Sequence, residues 1–111
     1  MSTPEGLVVQ ACLEYLHLHK IMSWRNNTGA VKYKNAKGAG RFLRFGYVGS
    51  SDIIGILPDG RFLAVECKAS TKLSEAQRYF LADIRKNGGV AVVAHSVEDV
   101  AAVLAAEGYA A

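Results

Sequence analysis

Two carboxylates and one lysine, placed on neighbouring predicted strands, are the residues of this sequence best suited to chemistry. The two strands flank residues 58–60, Pro-Asp-Gly, a sequence typical of a three-residue hairpin loop with glycine in the left-handed region. The antiparallel register of such a hairpin places Asp52 opposite Glu66. Lys68 follows two residues after Glu66 and therefore points to the same face. The spacing predicts a charged cluster at one end of an otherwise apolar sheet face.

Opposed carboxylates repel each other unless a positive charge lies between them. Hard oxygen ligands at this spacing suit Mg²⁺ or Mn²⁺, which favours a metal site. The alternative is that Lys68 neutralises Asp52 and Glu66 as a simple salt bridge. A shift of one residue in the turn would also move Asp52 to the other face. The spacing alone leaves these alternatives open.

Two further polar side chains each have a chemical and a structural interpretation. Glu5 projects toward the apolar side of the first predicted helix, where a buried carboxylate needs a partner. It also stands third after Ser2, as in a helix capping box. Gln77 has the same relation to Ser74 at the start of the second predicted helix. Each could complete the cluster or only cap its own helix.

The elements that must position these residues form one α/β domain over residues 1–111, with a central mixed sheet flanked by helices. Ser2 or Thr3, Ser74 and Ser96 are the expected N-caps of three helices that end near residues 19, 86 and 107. The predicted strands are 21–25, 31–33, 42–45, 52–57, 61–68 and 90–95. The expected buried stripe of the first helix is Leu7, Val8, Ala11, Cys12, Tyr15, Leu16 and Leu18. On the sheet face, Ala64, Ile54 and Ile56 are expected core.

The charge of the chain is unevenly distributed. The 111 residues carry a net charge of +3, but residues 15–51 hold seven of the 13 basic residues and none of the 10 acidic ones. Aromatic residues and glycines are interleaved with this charge, a combination that suits a nucleic-acid backbone. The alternative is a solvated loop region with ordinary surface lysines. The predicted DNA-binding residues are Arg25, Asn26, Asn27, Thr28, Lys32, Lys34, Lys37, Arg41 and Arg44.

Composition excludes several classes of protein. Half of the residues are hydrophobic and the mean hydropathy is +0.12, which excludes a disordered tail. No apolar run approaches the roughly 18 residues of a membrane span, and we expect no membrane partner. The sequence contains no phosphate-binding loop, so we expect no organic cofactor. Two cysteines and the absence of a signal-peptide pattern predict free thiols in a reducing, cytoplasmic environment.

Three motifs together resemble the virus-type replication-repair nuclease (VRR-NUC) domain of the PD-(D/E)XK nuclease superfamily. They are Gly49-Ser50-Ser51-Asp52-Ile53-Ile54, Glu66-Cys67-Lys68 and Leu73-Ser74-Glu75-Ala76-Gln77. Glu5 and the segment Trp24-Arg25-Asn26-Asn27-Thr28-Gly29 also stand where the family has an acidic residue and a similar segment. One departure is Ser51, where many members have a proline of structural importance.

The resemblance implies a restriction-endonuclease-like fold, in the order α-β-β-β-α-β-α, and a divalent-metal-dependent DNA endonuclease. By resemblance, Asp52, Glu66 and the backbone carbonyl of Cys67 would bind Mg²⁺ or Mn²⁺, with Glu5 as a ligand or outer-shell carboxylate. Lys68 would position the attacking water, and Gln77 would orient the site.

The resemblance also implies a homodimer that acts on branched DNA such as Holliday junctions, in a bacterial or phage-infected cell. It suggests a minimal, stand-alone form of the domain. A restriction-type or exonucleolytic nuclease on the same fold, or a non-catalytic nucleic-acid-binding module, are the alternatives.

Overall fold

The computed structural model describes residues 3–27, 29–34, 36–38, 40–69 and 72–109, and within them the chain forms three helices and six strands. The elements in chain order are α1 (Pro4–Leu18), β1 (Met22–Arg25), β2 (Gly29–Lys34), β3 (Gly40–Phe45), β4 (Ile53–Ile56), β5 (Phe62–Cys67), α2 (Glu75–Lys86), β6 (Val90–Ala94) and α3 (Val97–Ala106). Ser2 and Thr28 lie outside the described residues.

Four strands form the central sheet, in the order β1-β4-β5-β6. The β1–β4 and β4–β5 pairs are antiparallel and the β5–β6 pair is parallel, so the sheet is mixed as predicted. Strands β2 and β3 pair with each other in a separate two-stranded sheet. With that hairpin set aside, the elements follow the expected order α-β-β-β-α-β-α.

The turn between β4 and β5 sets the register of the sheet. The backbone N–H of Gly60 donates to the carbonyl of Leu57 at 2.8 Å, and the N–H of Leu57 donates to the carbonyl of Arg61 at 2.9 Å. Gly60 has a φ of 91°, the left-handed conformation that the Pro-Asp-Gly sequence predicts. Ile53 then pairs with Val65, and continuing this register by one residue brings Asp52 opposite Glu66.

The two faces of the sheet are covered by different helices. On one face, Leu63, Val65 and Cys67 of β5 pack in the core that also contains buried residues of α1 and α3. On the other face, Ala64 packs in a smaller core with Leu81 of α2. Since side chains alternate along a strand, Glu66 shares the face of Ala64 and lies on the α2 side.

The buried face of α1 is narrower than predicted. Its buried residues are Val9, Cys12 and Leu16, whereas Leu7 and Leu18 are 54% and 80% exposed and Ala11 is also exposed. Cys12 and Leu16 are buried as predicted, and Val8 and Tyr15 pack partly buried against the core. The predicted stripe was too broad because Leu7, Ala11 and Leu18 face solvent. Glu5 stands four residues before Val9 and therefore lies on the same side of α1 as the buried residues.

One other local prediction was wrong, and a second was right in position only. Ile56 is 40% exposed because it pairs with Met22 and Phe62 in a row of exposed apolar residues outside the α2 core. Ser96 occupies the N-cap position of α3, but its side chain makes no capping hydrogen bond. Instead, Oδ2 of Asp99 accepts from the backbone N–H of His95 at 2.8 Å.

None of the helices in the described part of the chain is long and apolar enough to span a bilayer.

The packing of α1 makes a matched pair of substitutions informative. Leu16→Ala should lower the free energy of unfolding by about 2–5 kcal/mol, because it removes a fully buried side chain and leaves a cavity. Leu7→Ala, on the exposed side of the same helix, should change it by at most about 0.5 kcal/mol. Urea unfolding followed by circular dichroism measures both, and equal losses would contradict the assignment of the buried face.

Candidate active site

Asp52 directly precedes β4 and is held by backbone groups of the segments on both sides of it. Its Oδ2 accepts a hydrogen bond of 2.8 Å from the backbone N–H of Cys67 on β5. On its other side, the backbone N–H of Asn26 donates to the carbonyl of Asp52 at 2.7 Å. These contacts fix the carboxylate beside Glu66, with one of its oxygens already paired.

Glu66 is the most buried acidic group of the site, with 3% of its surface exposed. Its Oε2 accepts from Nε2 of Gln77 at 3.2 Å and lies 3.9 Å from Nζ of Lys68. Its Oε1 is buried and, among the residues that the structure describes, has no hydrogen-bond partner. A buried carboxylate oxygen without a donor is costly, so this atom is an acceptor that the protein itself does not satisfy.

The environment of Glu66 raises its pKa to about 8. Burial is the largest cause, the charge of Asp52 adds to it, and the ammonium group of Lys68 only partly opposes them. Without a further cation, Glu66 therefore tends to hold a proton near neutral pH. A divalent cation would supply the missing positive charge, and the hard oxygen atoms present here fit Mg²⁺ or Mn²⁺.

Gln77 performs both of the roles that the sequence left open. Its Oε1 accepts from the backbone N–H of Ser74 at 2.9 Å, and its own backbone N–H donates to Oγ of Ser74 at 3.1 Å. The capping box is therefore complete. The same amide group then uses its nitrogen to donate to Glu66. The start of α2 and the carboxylate of Glu66 are thus linked through one side chain.

Glu5 does not belong to a capping box. The N-cap of α1 is Thr3, whose Oγ1 accepts from the backbone N–H of Gly6 at 2.9 Å, so Glu5 is not the third residue of the helix. Its charge contributes to the raised pKa of Glu66, which places it within electrostatic range. Even so, no three His, Cys, Asp or Glu side chains in the described residues are grouped closely enough to hold a metal ion. The structure brings Asp52 and Glu66 together, and Glu5 lies within electrostatic range of Glu66.

Cys67 turns its side chain away from the carboxylates, as predicted for a packed core thiol. It is fully buried beside Cys12, and both cysteines are free. The hydrogen bond with Cys12 and burial raise the pKa of the Cys67 thiol, which keeps it from acting as a nucleophile. What Cys67 offers to the site is its backbone, between Glu66 and Lys68.

Lys68 is held in place where β5 ends. Its backbone N–H donates to the carbonyl of Ala94 at 2.9 Å, which continues the parallel pairing with β6. Only 9% of its surface is exposed, so its ammonium group is confined near Glu66. The ion pair that the sequence offered as an alternative to a metal site is present, but it leaves Oε1 of Glu66 without a partner.

The predicted DNA-binding residues are distributed over β1, the β2–β3 hairpin and their connections. Arg25, Asn27, Lys34 and Lys37 are exposed. Lys32, Arg41 and Arg44 lie on β2 and β3, whose register pairs Lys32 with Phe42, Tyr33 with Arg41 and Ala30 with Arg44. Thr28 falls outside the described residues.

Asn26 has a role that sequence reasoning missed. Its Nδ2 donates to Oγ of Ser50 at 2.7 Å and to the carbonyl of Ser51 at 3.0 Å, so these contacts tie the end of β1 to the residues before Asp52. The amide nitrogen predicted to contact phosphate is thus engaged within the protein. Only the long-range pairing of β1 with β4 brings these segments together, so no local sequence signal could have revealed it.

Comparison with known families matches the VRR-NUC domain to residues 3–98 of the chain. This range contains every residue of the candidate site. No curated protein and no solved structure matches the chain significantly.

The raised pKa of Glu66 predicts a dependence of stability on pH in the absence of divalent cations. Because the folded state binds this proton more tightly than the unfolded state, the contribution of Glu66 to stability falls as pH rises from about 4.5 to about 8. Glu66→Gln should therefore be increasingly stabilising relative to the wild type over that window. Urea unfolding in EDTA at several pH values measures this, and a difference that does not change with pH would contradict the raised pKa.

The double role of Gln77 can be separated by two substitutions. Ser74→Ala removes the side-chain cap and should lower the free energy of unfolding by about 1 kcal/mol, while Gln77 can still reach Glu66. Gln77→Glu preserves a capping-box residue but replaces the donor to Glu66 with a like charge. It should shift the titration of Glu66 further upward, as observed by carboxylate NMR. A titration changed equally by both variants would show that the contact acts only through the helix cap.

Proposed function

Since the chain belongs to the VRR-NUC domain family, whose members are nucleases of the PD-(D/E)XK type, we propose that it hydrolyses phosphodiester bonds in DNA with a bound divalent cation. The observation that carries this proposal is the buried, unpartnered Oε1 of Glu66 beside Asp52 in the described structure. The ion pair with Lys68 does not account for this oxygen, because Lys68 lies 3.9 Å from Oε2. A binding module would gain nothing from carboxylates placed where phosphates must approach.

In this proposal Asp52, Glu66 and the backbone carbonyl of Cys67 hold Mg²⁺ or Mn²⁺, and Glu5 acts from the outer shell. Mg²⁺ is commonly held by only one or two carboxylates together with water and substrate phosphate, so a pair of side chains is sufficient. When bound, the cation supplies Lewis-acid stabilisation of charge on the phosphate and eases the deprotonation of water.

Lys68 and Gln77 act on either side of Glu66. The Lys68 ammonium carries three N–H donors, and its pairing with Glu66 at 3.9 Å leaves donors for a water molecule or a phosphate oxygen. We assign it to positioning the attacking water and offsetting negative charge in the transition state. Gln77 fixes the rotamer of Glu66 through Oε2, so that Oε1 remains available.

We propose branched DNA, such as a four-way junction, as the substrate and a homodimer as the acting form. The seven basic residues within residues 15–51, with no acidic residue among them, support DNA as the partner. A two-fold dimer would present two active sites to two symmetric strands.

Cleavage of four DNA forms in Mg²⁺ or Mn²⁺ tests this function: a four-way junction, a 5′ flap, a single strand and a linear duplex. The wild type should cut the junction fastest. Asp52→Asn should reduce cleavage at least about 100-fold, because it removes a charge that holds the cation, while DNA binding persists. Mn²⁺ should also raise the melting temperature of the wild type but not of Asp52→Asn.

Glu14→Gln is the matched control, since Glu14 is an exposed acidic residue on α1. It should cut and melt like the wild type. If the wild type leaves all four DNA forms intact, the nuclease proposal fails. If it cuts the linear duplex as fast as the junction, or sediments as a monomer with full activity, the branched-DNA or dimer part fails.

A further inference from the structure

An exposed apolar turn lies beside the carboxylate pair. Tyr47 and Val48 are 67% and 60% exposed, although both are large hydrophobic residues. The backbone N–H of Ser50 donates to the carbonyl of Tyr47 at 3.0 Å and closes the turn. Asp52 follows Ser50 by two residues. The mechanism proposed above makes no use of this turn.

The turn is held rigidly against α2 and β1. Gly49 has a φ of 82°, and a Cβ atom at this position would lie 2.6 Å from the carbonyl oxygen of Ala76. Only glycine permits so close an approach to the helix. Oγ of Ser50 accepts from Asn26, which ties the other side of the turn to the end of β1. An exposed side chain on such a backbone is preorganised for contact with a partner.

The contacts of Tyr47 place it at the rim of the active site. Its ring lies 5.6 Å from the ring of Phe80, with the two planes tilted by 55°. Phe80 is one helical turn after Gln77, the residue that donates to Glu66, and Ala76 is the residue just before it. One edge of the Tyr47 ring is thus supported by α2 while most of its surface faces solvent.

We propose that Tyr47 is a stacking platform for an unpaired nucleobase of the strand whose phosphodiester enters the site. Aromatic side chains bind bases of any sequence by stacking, provided that one face of the base is free. A base inside a duplex has both faces covered by its neighbours. The proposal rests on the proposed function for the identity of the site. It adds that a base beside the bond that is cut leaves its stack at the branch point and packs against Tyr47 when the substrate is bound.

The surroundings favour a nucleobase over an apolar protein partner. Residues 15–51, which contain Tyr47, include seven basic residues and no acidic one. A DNA strand that is attracted by this positive charge carries both phosphates and bases. One ligand can therefore occupy the phosphate-binding site and the base-binding surface beside it.

Binding measured in EDTA tests the platform independently of cleavage. The probes are a single-stranded oligonucleotide and a linear duplex, each with 2-aminopurine, whose fluorescence falls when the base stacks. Tyr47→Ala and Tyr47→Leu should bind the single strand about 5-fold or more weakly and lose the quenching, with duplex binding unchanged. Tyr47→Phe should retain both. Tyr47→Leu keeps an apolar contact with Phe80, so it controls for folding.

Tyr79→Ala is the matched control. Tyr79 is 64% exposed and lies about 200° around α2 from Gln77, and its hydroxyl donates to Glu75. It should bind both probes like the wild type. Equal losses for the single strand and the duplex, no loss at all, or a change from dimer to monomer on Tyr47→Ala would overturn the proposal. If the wild type cuts no DNA but still binds the single strand selectively in EDTA, the proposed nuclease function fails and the Tyr47 platform stands.

Discussion

The opposition of Asp52 and Glu66 across two antiparallel strands is the constraint on which the rest of this site depends. The register is fixed by the Pro-Asp-Gly turn at the far end of the hairpin, where it does no chemistry. At the near end the same register forces two carboxylates together, and one of them is almost completely buried. Hydrogen-bond donors stabilise Oδ2 of Asp52 and Oε2 of Glu66. Burial and the negative charge of Asp52 still outweigh the positive charge of Lys68, which raises the pKa of Glu66 to about 8. The fold therefore maintains an acceptor that a proton or a cation must satisfy.

The mixed character of the sheet explains how the other groups reach this acceptor. The parallel hydrogen bonding between β5 and β6 continues past Cys67, because the backbone N–H of Lys68 donates to the carbonyl of Ala94 on β6. The backbone of Lys68 is therefore fixed to the sheet. The connection to β6 must cross one face of the sheet, and α2 is that crossover. Its N-terminal turn, with the positive end of the helix dipole, therefore comes to Glu66, and Gln77 of its capping box donates a hydrogen bond to that carboxylate. Topology and capping together give one side chain two roles.

Local signals predicted much of this arrangement, and the errors share one cause. The register that opposes Asp52 to Glu66 depends on three turn residues, and the Ser74–Gln77 capping box on four, so both are encoded within a short segment. Predictions failed where the outcome depends on what another element covers. The stripe of α1 was too broad, Ile56 was assigned to the core, and the hydrogen bond from Asn26 to Ser50 was missed. Burial and long-range hydrogen bonds are properties of the assembled fold, and spacing along the chain does not determine them.

The position of the basic segment follows from the same pairing. Arg25 ends β1 and pairs with Ile53, the first residue of β4, so the chain between them leaves the sheet and returns to it at one point. That point lies beside the carboxylate pair, since Asp52 directly precedes Ile53. The β2–β3 hairpin and the Tyr47 turn are both contained in this excursion. Residues 26–51 carry five basic residues and no acidic one, so this positive charge is connected to the site at both of its ends. The pairing of β1 with β4 thus attaches the β2–β3 hairpin to the carboxylate pair through the chain itself.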